Sequence, residues 1–512
     1  MTAETAYSKR WWTLVVLSVS LLVVSLDNTI LNVALPSIER ELGASADQLQ
    51  WVVDAYTLVF AGLLLTAGSL GDRFGRRRAL SVGLVVFGVG SLLSALSGSP
   101  GELIASRGLM GIGGALIMPS TLSILTNVFP ANERPKAIGI WAAVAGIGVV
   151  VGPVAGGALL ERFEWGAVFF VNLPIVVAAL AAGRLLVPES KDPAQGKLDP
   201  VGAGLSILGL GVLVWGIIEA PLRGWGDPVI LGSVGAGIAV LVAFTAWELR
   251  TPAPMLDMRL FRNRSFGGGS GAIALVFFAL FGSIFFLTQY FQGVLDYTAL
   301  DAGLRMTPLA IGLIPGAPLA VKIAGRVGIG PVVALGLTTV AGALGLLSTA
   351  SIDSGYGLVF VSLVMLGFGM GASMAPATEA IMSALPKERA GVGSATNDTT
   401  RMVGGTFGVA VLGSLLSSGY GAEMDGATQG LPGPAASIAS DSLGGAAAVA
   451  DRIGGEAGRA LAHAADLAFV SAMSTSLMVA AGVALTGALL AIRLLPRGAP
   501  QRATAEAEAV PA

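Results

Sequence analysis

Leu26-Asp27-Asn28-Thr29-Ile30-Leu31-Asn32-Val33-Ala34-Leu35-Pro36 closes an apolar run that begins at Trp11. One carboxylate, Asp27, and two amides, Asn28 and Asn32, stand where a membrane-spanning helix should carry only apolar side chains. An ionised Asp at bilayer depth costs ~3 kcal/mol on insertion scales. A chain tolerates that cost if the acid faces a protein interior or a watery cavity, where it can take up and release a proton. The stretch therefore reads as the working part of a transmembrane helix.

Composition agrees. Of 512 residues, 54% are hydrophobic and only 12% charged, against about 25% charged in a soluble domain. The chain reads as a polytopic membrane protein. It has no cysteine, which excludes disulfides, thiolate nucleophiles and Cys-ligated metals. Its single histidine, His463, argues against a His-based metal site or catalytic triad and reads as a surface residue of an external loop. We expect no metal, no cofactor and no enzyme activity. A net charge of −2 argues against nucleic acid. No Gly-x-x-x-x-Gly-Lys-[Ser/Thr] stretch is present, so ATP is not the implied driver. Lys9-Arg10 before an apolar run has the look of a signal peptide, but the run is long, lacks a small-residue cleavage site and is followed by many equal runs.

A span needs about 20 apolar residues. Fourteen stretches qualify: 11–33, 48–70, 79–97, 102–127, 137–160, 165–187, 201–219, 228–247, 266–292, 302–322, 331–350, 356–381, 391–417 and 467–492. With both termini cytoplasmic, 22 of the 30 Lys and Arg residues fall in inner segments. That is the positive-inside bias, and adding or dropping one span would spoil it for every later loop. The segment 418–466 is Gly-, Ala- and Ser-rich and expected outside, with helical spacing from Gly454 to Asp466. The tail 498–512 is expected to be disordered.

The second half echoes the first. Gly113-Gly114-Ala115-Leu116-Ile117-Met118-Pro119 parallels Met370-Gly371-Ala372-Ser373-Met374-Ala375-Pro376, and Phe129-Pro130-Ala131-Asn132-Glu133-Arg134 parallels Leu385-Pro386-Lys387-Glu388-Arg389. Such a repeat implies two similar halves with a site between them near the midplane. We expect an all-α protein: a six-helix bundle over 11–187, two inserted helices over 201–247, and a second six-helix bundle over 266–492. Asp199-Pro200 reads as the N-cap and first residue of the seventh span.

The loop between spans 2 and 3 reads Gly68-Ser69-Leu70-Gly71-Asp72-Arg73-Phe74-Gly75-Arg76-Arg77-Arg78. Gly75 permits a tight turn, and Asp72 and Arg76 can pair across one helical turn. This loop resembles the signature of the major facilitator superfamily. The chain further resembles the fourteen-spanner drug:proton antiporters of the QacA/EmrB type, along nearly its whole length. The resemblance is carried by Leu26–Thr29 with Asn32–Pro36, Trp51 with Tyr56, Arg107 with Gly111 and Gly114, Gly148-x-x-x-Gly152-Pro153-x-x-Gly156-Gly157, and Phe169-Phe170-Val171-Asn172-Leu173-Pro174 after Trp165. After span 10, Gly325-Arg326 remain but no acid follows, a departure from the pattern. The resemblance implies that Asp72, Arg73 and Arg76 latch the two halves on the cytoplasmic side. It also implies that the Gly-Pro run of span 5 belongs to an exporter and that the protein sits in a bacterial inner membrane. Physically, Gly148, Gly152 and Gly156 form a small-residue stripe for close helix approach, and Pro153 bends the span.

Depth along each helix groups the charges. Asp27 lies ~24 Å from the inner interface and Arg107 ~8 Å from the outer one at 1.5 Å per residue, so both fall in the outer third. Asp54, one turn from Trp51, has similar depth. We expect Asp27, Asp54 and Arg107 to form one proton-handling cluster. A second cluster is expected toward the cytoplasm, where Asp398 and Arg401 share a face and Glu379 sits near the inner end of its span. Asp398 is a second candidate proton or cation site. Asn28, Asn32 and the aromatics Tyr56, Trp141, Phe169, Phe170, Phe285, Phe286 and Tyr290 are candidate cavity lining. Rings with carboxylates suit lipophilic cations. The expected function is proton-coupled export of amphipathic small molecules, with lipids as surroundings. The alternative is a dedicated exporter of one natural product, lipid or siderophore. Two homologous halves with charges at separate depths favour a gated carrier over a channel.

Overall fold

The computed structural model describes residues 7–44, 46–191, 199–252 and 254–496, with backbone alone at a few positions that include Asn32 and Pro153. The side chains of those two candidates, and the tail 498–512, lie outside the described residues. Fourteen long helices stand where the fourteen apolar runs were read. They are α1 (Arg10–Leu42), α2 (Ala46–Phe74), α3 (Arg76–Ala95), α4 (Pro100–Val128) and α5 (Arg134–Leu160). Next come α6, in two pieces (Ala167–Phe170 and Asn172–Leu186), α7 (Pro200–Arg223), α8 (Pro228–Glu248) and α9 (Arg264–Gln289). The set ends with α10, also in two pieces (Ala299–Arg305 and Pro308–Val327), α11 (Ile329–Leu347), α12 (Tyr356–Ser383), α13 (Ala390–Ala427) and α14 (Gly455–Leu494). Thirteen are long and apolar enough to cross a membrane. The remaining one, α5, is 27 residues long and has no charged side chain beyond Lys136. Helices are the expected solution, because a bilayer offers no partner for an open backbone.

Local chemistry sets several helix starts. Ser99 accepts from the Glu102 N–H while Pro100 takes the first turn of α4, and the Glu102 carboxylate reaches back to Gly98 N–H at 2.9 Å. Asp199 caps α7 by accepting from Gly202 N–H at 2.7 Å, as read from Asp199-Pro200. Asp227 and Asn263 cap α8 and α9 in the same way.

The helix pairings repeat at an offset of eight. In the first half α4 packs on α2 and α3, α1 on α5, and α3 on α6. In the second, α12 packs on α10 and α11, α9 on α13, and α11 on α14. Pro119 of α4 and Pro376 of α12 occupy matching positions. The pair α7–α8 stands outside this scheme, with α7 packed against α2 of one half and α13 of the other.

The expected outer loop 418–466 is instead largely helical. α13 runs on to Ala427, two short helices follow (Gly433–Asp441 and Leu443–Ile453), and α14 already starts at Gly455. Alanine is the strongest helix former, and Leu443, Ala446, Val449 and Ala450 are buried on one side of the second short helix. Tyr420 ties the segment to α13 by donating to the carbonyls of Ala439 (3.0 Å) and Ser442 (3.3 Å).

The close passage of α1 across α5 uses the small-residue stripe. A Cβ on Gly148 would come 2.6 Å from Ser25 Cβ, and one on Gly156 2.9 Å from Ile30 Cγ1. At Gly152 it would collide with the Thr29 hydroxyl, which itself donates to Gly148 O at 3.3 Å. Gly152→Ala is therefore expected to cost about 1–3 kcal/mol, the usual range for overpacking. Thr29→Ala, which removes the nearest atom, should recover part of it. Thermal unfolding of the detergent-purified single and double variants checks this.

Between α4 and α5, Glu133 accepts from Arg10 Nε at 2.6 Å and Nη2 at 3.0 Å. The hydrogen bond from Arg10 holds the Glu133 carboxyl below its ordinary value of 4.5. A depressed carboxyl stabilises above its unfolded value and stops doing so as pH falls through the folded one. Glu133→Gln is thus expected to lower the unfolding temperature slightly at pH 7, and across a pH series the difference from wild type should narrow as pH falls through the lowered carboxyl's range.

Candidate functional site

Asp27, on α1, is fully buried, and so is Arg107 on α4. Arg107 Nη1 donates to Asp27 Oδ2 at 2.5 Å. The second carboxylate oxygen accepts from Asn172 Nδ2 on α6 at 2.9 Å, and the same amide nitrogen donates to Ser91 Oγ on α3 at 3.1 Å. Arg107 is held in turn by α2: its Nε donates to Val52 O at 3.1 Å, and its guanidinium lies 4.5 Å from the centre of the Tyr56 ring. Helices α4 and α6 thus meet α1 at one carboxylate, with α3 and α2 holding the two side chains that reach it. Breaking such a buried pair by removing one partner strands the other charge. The pairing of Asp27 with Arg107 follows the depth reading.

Asp54 is placed differently. It is half-buried, and the side chains seen holding the Asp27 carboxylate are Arg107 and Asn172. The reason is azimuth. Val52 and Tyr56 are four apart on the face of α2 that meets Arg107, whereas Asp54 lies two residues, about 200°, from each. Equal depth did not mean a shared face. Asn172 takes the place expected of Asp54. It was visible as a lone amide in the sixth apolar run, the same signal that singled out Asp27.

The loop between α2 and α3 makes a second constellation. Gly75 takes φ +113°, a turn open to glycine, and starts α3. Asp72 and Arg76 pair at 2.6 Å, both buried. The Asp72 carboxylate also crosses to the other half, accepting from Gly391 N–H at 2.9 Å and Val392 N–H at 3.1 Å. These are first-turn amides of α13, so Asp72 sits where the helix dipole favours an anion. Arg76 Nη2 donates to Glu388 O at 2.6 Å. One turn deeper, Gly68 and Gly391 bring the backbones of α2 and α13 together: a Cβ on Gly68 would lie 2.6 Å from Gly391 O. The Arg73 guanidinium lies 5.5 Å from the Phe74 ring. Glu189, after α6, accepts from Arg77 N–H at 3.1 Å and pairs with Arg77 and Arg78. The two halves are therefore joined at this end.

Behind this junction lies an apolar cluster of Leu65, Leu210, Phe244, Met255, Leu256, Val392 and Ala395. It joins α2, α7, α8 and α13 to the linker before α9. Glu248 Oε2, buried at the end of α8, accepts from Leu256 N–H at 3.1 Å. Nothing in the residue pattern of this linker marks it as reaching the contact between α2 and α13.

The inner charge cluster is split. Asp398 and Arg401 share a face as read, with Arg401 Nη1 3.5 Å from Asp398 Oδ1. Asn397 Nδ2 donates to the same oxygen at 3.2 Å. The Arg401 guanidinium lies between rings of both halves, 5.4 Å from Trp141 on α5 and 4.6 Å from Phe277 on α9. Glu379 is not part of this pair: among the described residues no hydrogen bond or ion pair joins it to Asp398 or Arg401.

Of the candidate lining, Tyr56, Trp141, Phe169, Phe286 and Tyr290 present no surface in this conformation. Each has a partner that holds it in. Tyr56 stacks on Phe60, Trp141 Nε1 donates to Thr121 Oγ1, Phe169 meets Trp165 edge-on, Phe286 meets Phe285 edge-on, and the Tyr290 hydroxyl donates to Ser351 O. Asn28, Phe170 (43%) and Phe285 (41%) remain exposed. Among the described residues no group of three or more His, Cys, Asp or Glu side chains could hold a metal.

Two repeated six-helix halves, a latch between them and a buried ion pair between helices define a membrane carrier. The chain belongs to the Major Facilitator Superfamily, whose family model matches residues 17–409. It is 36% identical to the tetracenomycin C resistance and export protein of Streptomyces glaucescens, covering 94% of this chain and 91% of that one. It is also 36% identical to the multidrug efflux pump LfrA of Mycolicibacterium smegmatis (94% and 95% covered). The methyl viologen resistance protein SmvA of Salmonella typhimurium is 33% identical (93% and 96% covered). Among solved structures, the human organic anion transporter MFSD10 superposes with a TM-score of 0.61 at 13% identity, covering 96% of this chain and all of that one. At that identity the likeness speaks for the fold alone.

Proposed function

We propose that this protein exports lipophilic, often cationic compounds across a bacterial inner membrane in exchange for protons, by alternating access, with both termini cytoplasmic. The observation that carries the reading is the Asp27–Arg107 pair. It is a fully buried carboxylate held by a guanidinium and an amide, one residue from the exposed Asn28, in a molecule whose inner side is latched. A buried acid beside Arg⁺ changes its proton affinity when the separation changes. A proton arriving from outside breaks the ion pair, and the freed helices α1, α4 and α6 can then shift as the halves rock. The relatives named for multidrug efflux and methyl viologen resistance support a broad, cation-tolerant spectrum.

The test uses energised inside-out vesicles. Adding methyl viologen or another amphipathic cation should release protons from the lumen in vesicles carrying the protein and not in empty ones. Drug uptake that continues undiminished after the proton gradient is collapsed would overturn the coupling. A second reading, export of one natural product, is favoured by likeness to the tetracenomycin C exporter and to a probable actinorhodin transporter of Streptomyces coelicolor. A drug-susceptibility panel in an efflux-deficient host separates the two by breadth.

A further inference from the structure

The cytoplasmic ends of α7 and α8 frame a groove of about 570 Å³. Leu205, Ala243 and Ala246 form its apolar wall, and Trp247, Arg250 and Thr251 stand at its mouth. Trp247 is held in place, its Nε1 donating to both carboxylate oxygens of Asp199 at 3.0 Å. That carboxylate also caps α7 through Gly202 N–H, so the acid nearest the mouth is already engaged. Arg250 is exposed. Among the described residues neither it nor Arg259, Arg262 or Arg264 is in an ion pair. The segment 250–264 contains one acid, Asp257, which accepts from Arg259 N–H at 3.0 Å. Leu249 (45%) and Phe261 (43%) are exposed beside these arginines. The arrangement is an apolar trough below, an indole at the rim and, above, guanidinium groups that have no ion pair among the described residues. It complements one end of a negatively charged lipid.

We propose that this groove holds an anionic glycerophospholipid of the inner leaflet, with an acyl chain against Leu205, Ala243 and Ala246 and the phosphate on Arg250. The proposal rests on the cytoplasmic assignment of this face. The site bears on the inner latch. Glu248, next to Trp247, holds Leu256, and Met255 and Leu256 pack with Leu65, Val392 and Ala395 where α2 meets α13. A lipid seated in the groove braces the back of that cluster, which gives the inserted pair α7–α8 a role.

The experiment places the full-length protein in phosphatidylcholine nanodiscs doped with brominated phosphatidylglycerol or brominated phosphatidylcholine. Fluorescence quenching of Trp247 is read as the difference from Trp247→Phe. One arginine near an anionic surface contributes ~1 kcal/mol, about fivefold in partition. Half-quenching is therefore expected at about fivefold less brominated phosphatidylglycerol than brominated phosphatidylcholine, with the preference lost in Arg250→Gln. As a second readout, phosphatidylglycerol should raise the unfolding temperature of wild type more than that of Arg250→Gln, whose tryptophans are intact. Equal quenching by the two lipids, a preference untouched by Arg250→Gln, or relief by inorganic phosphate would each overturn the lipid site. No transport is measured, so failure here is distinct from failure of the export reading.

Discussion

Asp27→Asn is expected to stop proton release and drug uptake in inside-out vesicles, down to the level of vesicles without the protein. The substitution keeps shape and removes charge from a carboxylate that faces Arg107 at 2.5 Å with neither side chain exposed. It also strands the guanidinium, and removing one partner of a buried pair costs about 3–5 kcal/mol. Loss of export alone would not separate coupling from folding. The double variant Asp27→Asn/Arg107→Gln does. Two neutral amides carry no uncompensated charge, so much of the stability should return while export stays absent. Thermal unfolding and vesicle transport of the two single variants and the double variant complete the cycle. Export that survives Asp27→Asn removes this carboxylate from the mechanism.

Asp72→Asn should loosen the latch between α2 and α13. Wild-type Asp72 accepts two amide hydrogen bonds from the start of α13 while pairing with Arg76. Hydrogen bonds to a charged group contribute about 1.5–3 kcal/mol each. Losing the charge should shift the closed-to-open ratio by about a hundredfold, equivalent to roughly 3 kcal/mol. The chain has no cysteine, so a single Val392→Cys reports without background. Val392 is 8% exposed and lies in the cluster between the halves. Its labelling by a maleimide from the cytoplasmic side should quicken at least about tenfold in Asp72→Asn if the open state gains that much population. An unchanged rate would mean that Asp72 does not hold the halves together.

The residues of both experiments were legible in different degrees. Asp27 and Arg107 stood out because charge is costly in an apolar run, and counting residues put them at one depth. The same count put Asp54 there too, but it is Asn172 that completes the site. Asp72 could be paired with Arg76 from their spacing, and the family resemblance implied a latch. Its partners, the N–H groups of Gly391 and Val392, carry no side-chain signal at all. The aromatic lining was the least legible. Apolar rings serve packing and cargo equally well, and Tyr56, Trp141, Phe169, Phe286 and Tyr290 are packed here.

By itself the sequence determined the number of long helices, their order and the repeat between halves. Each of these is written in one dimension, because lipid leaves a backbone little choice but to pair within its own helix. Only the tertiary structure decided which charges meet. Rotation about each helix axis is set by packing against its neighbours, and a turn of 200° moves Asp54 away from the pair while leaving its depth unchanged.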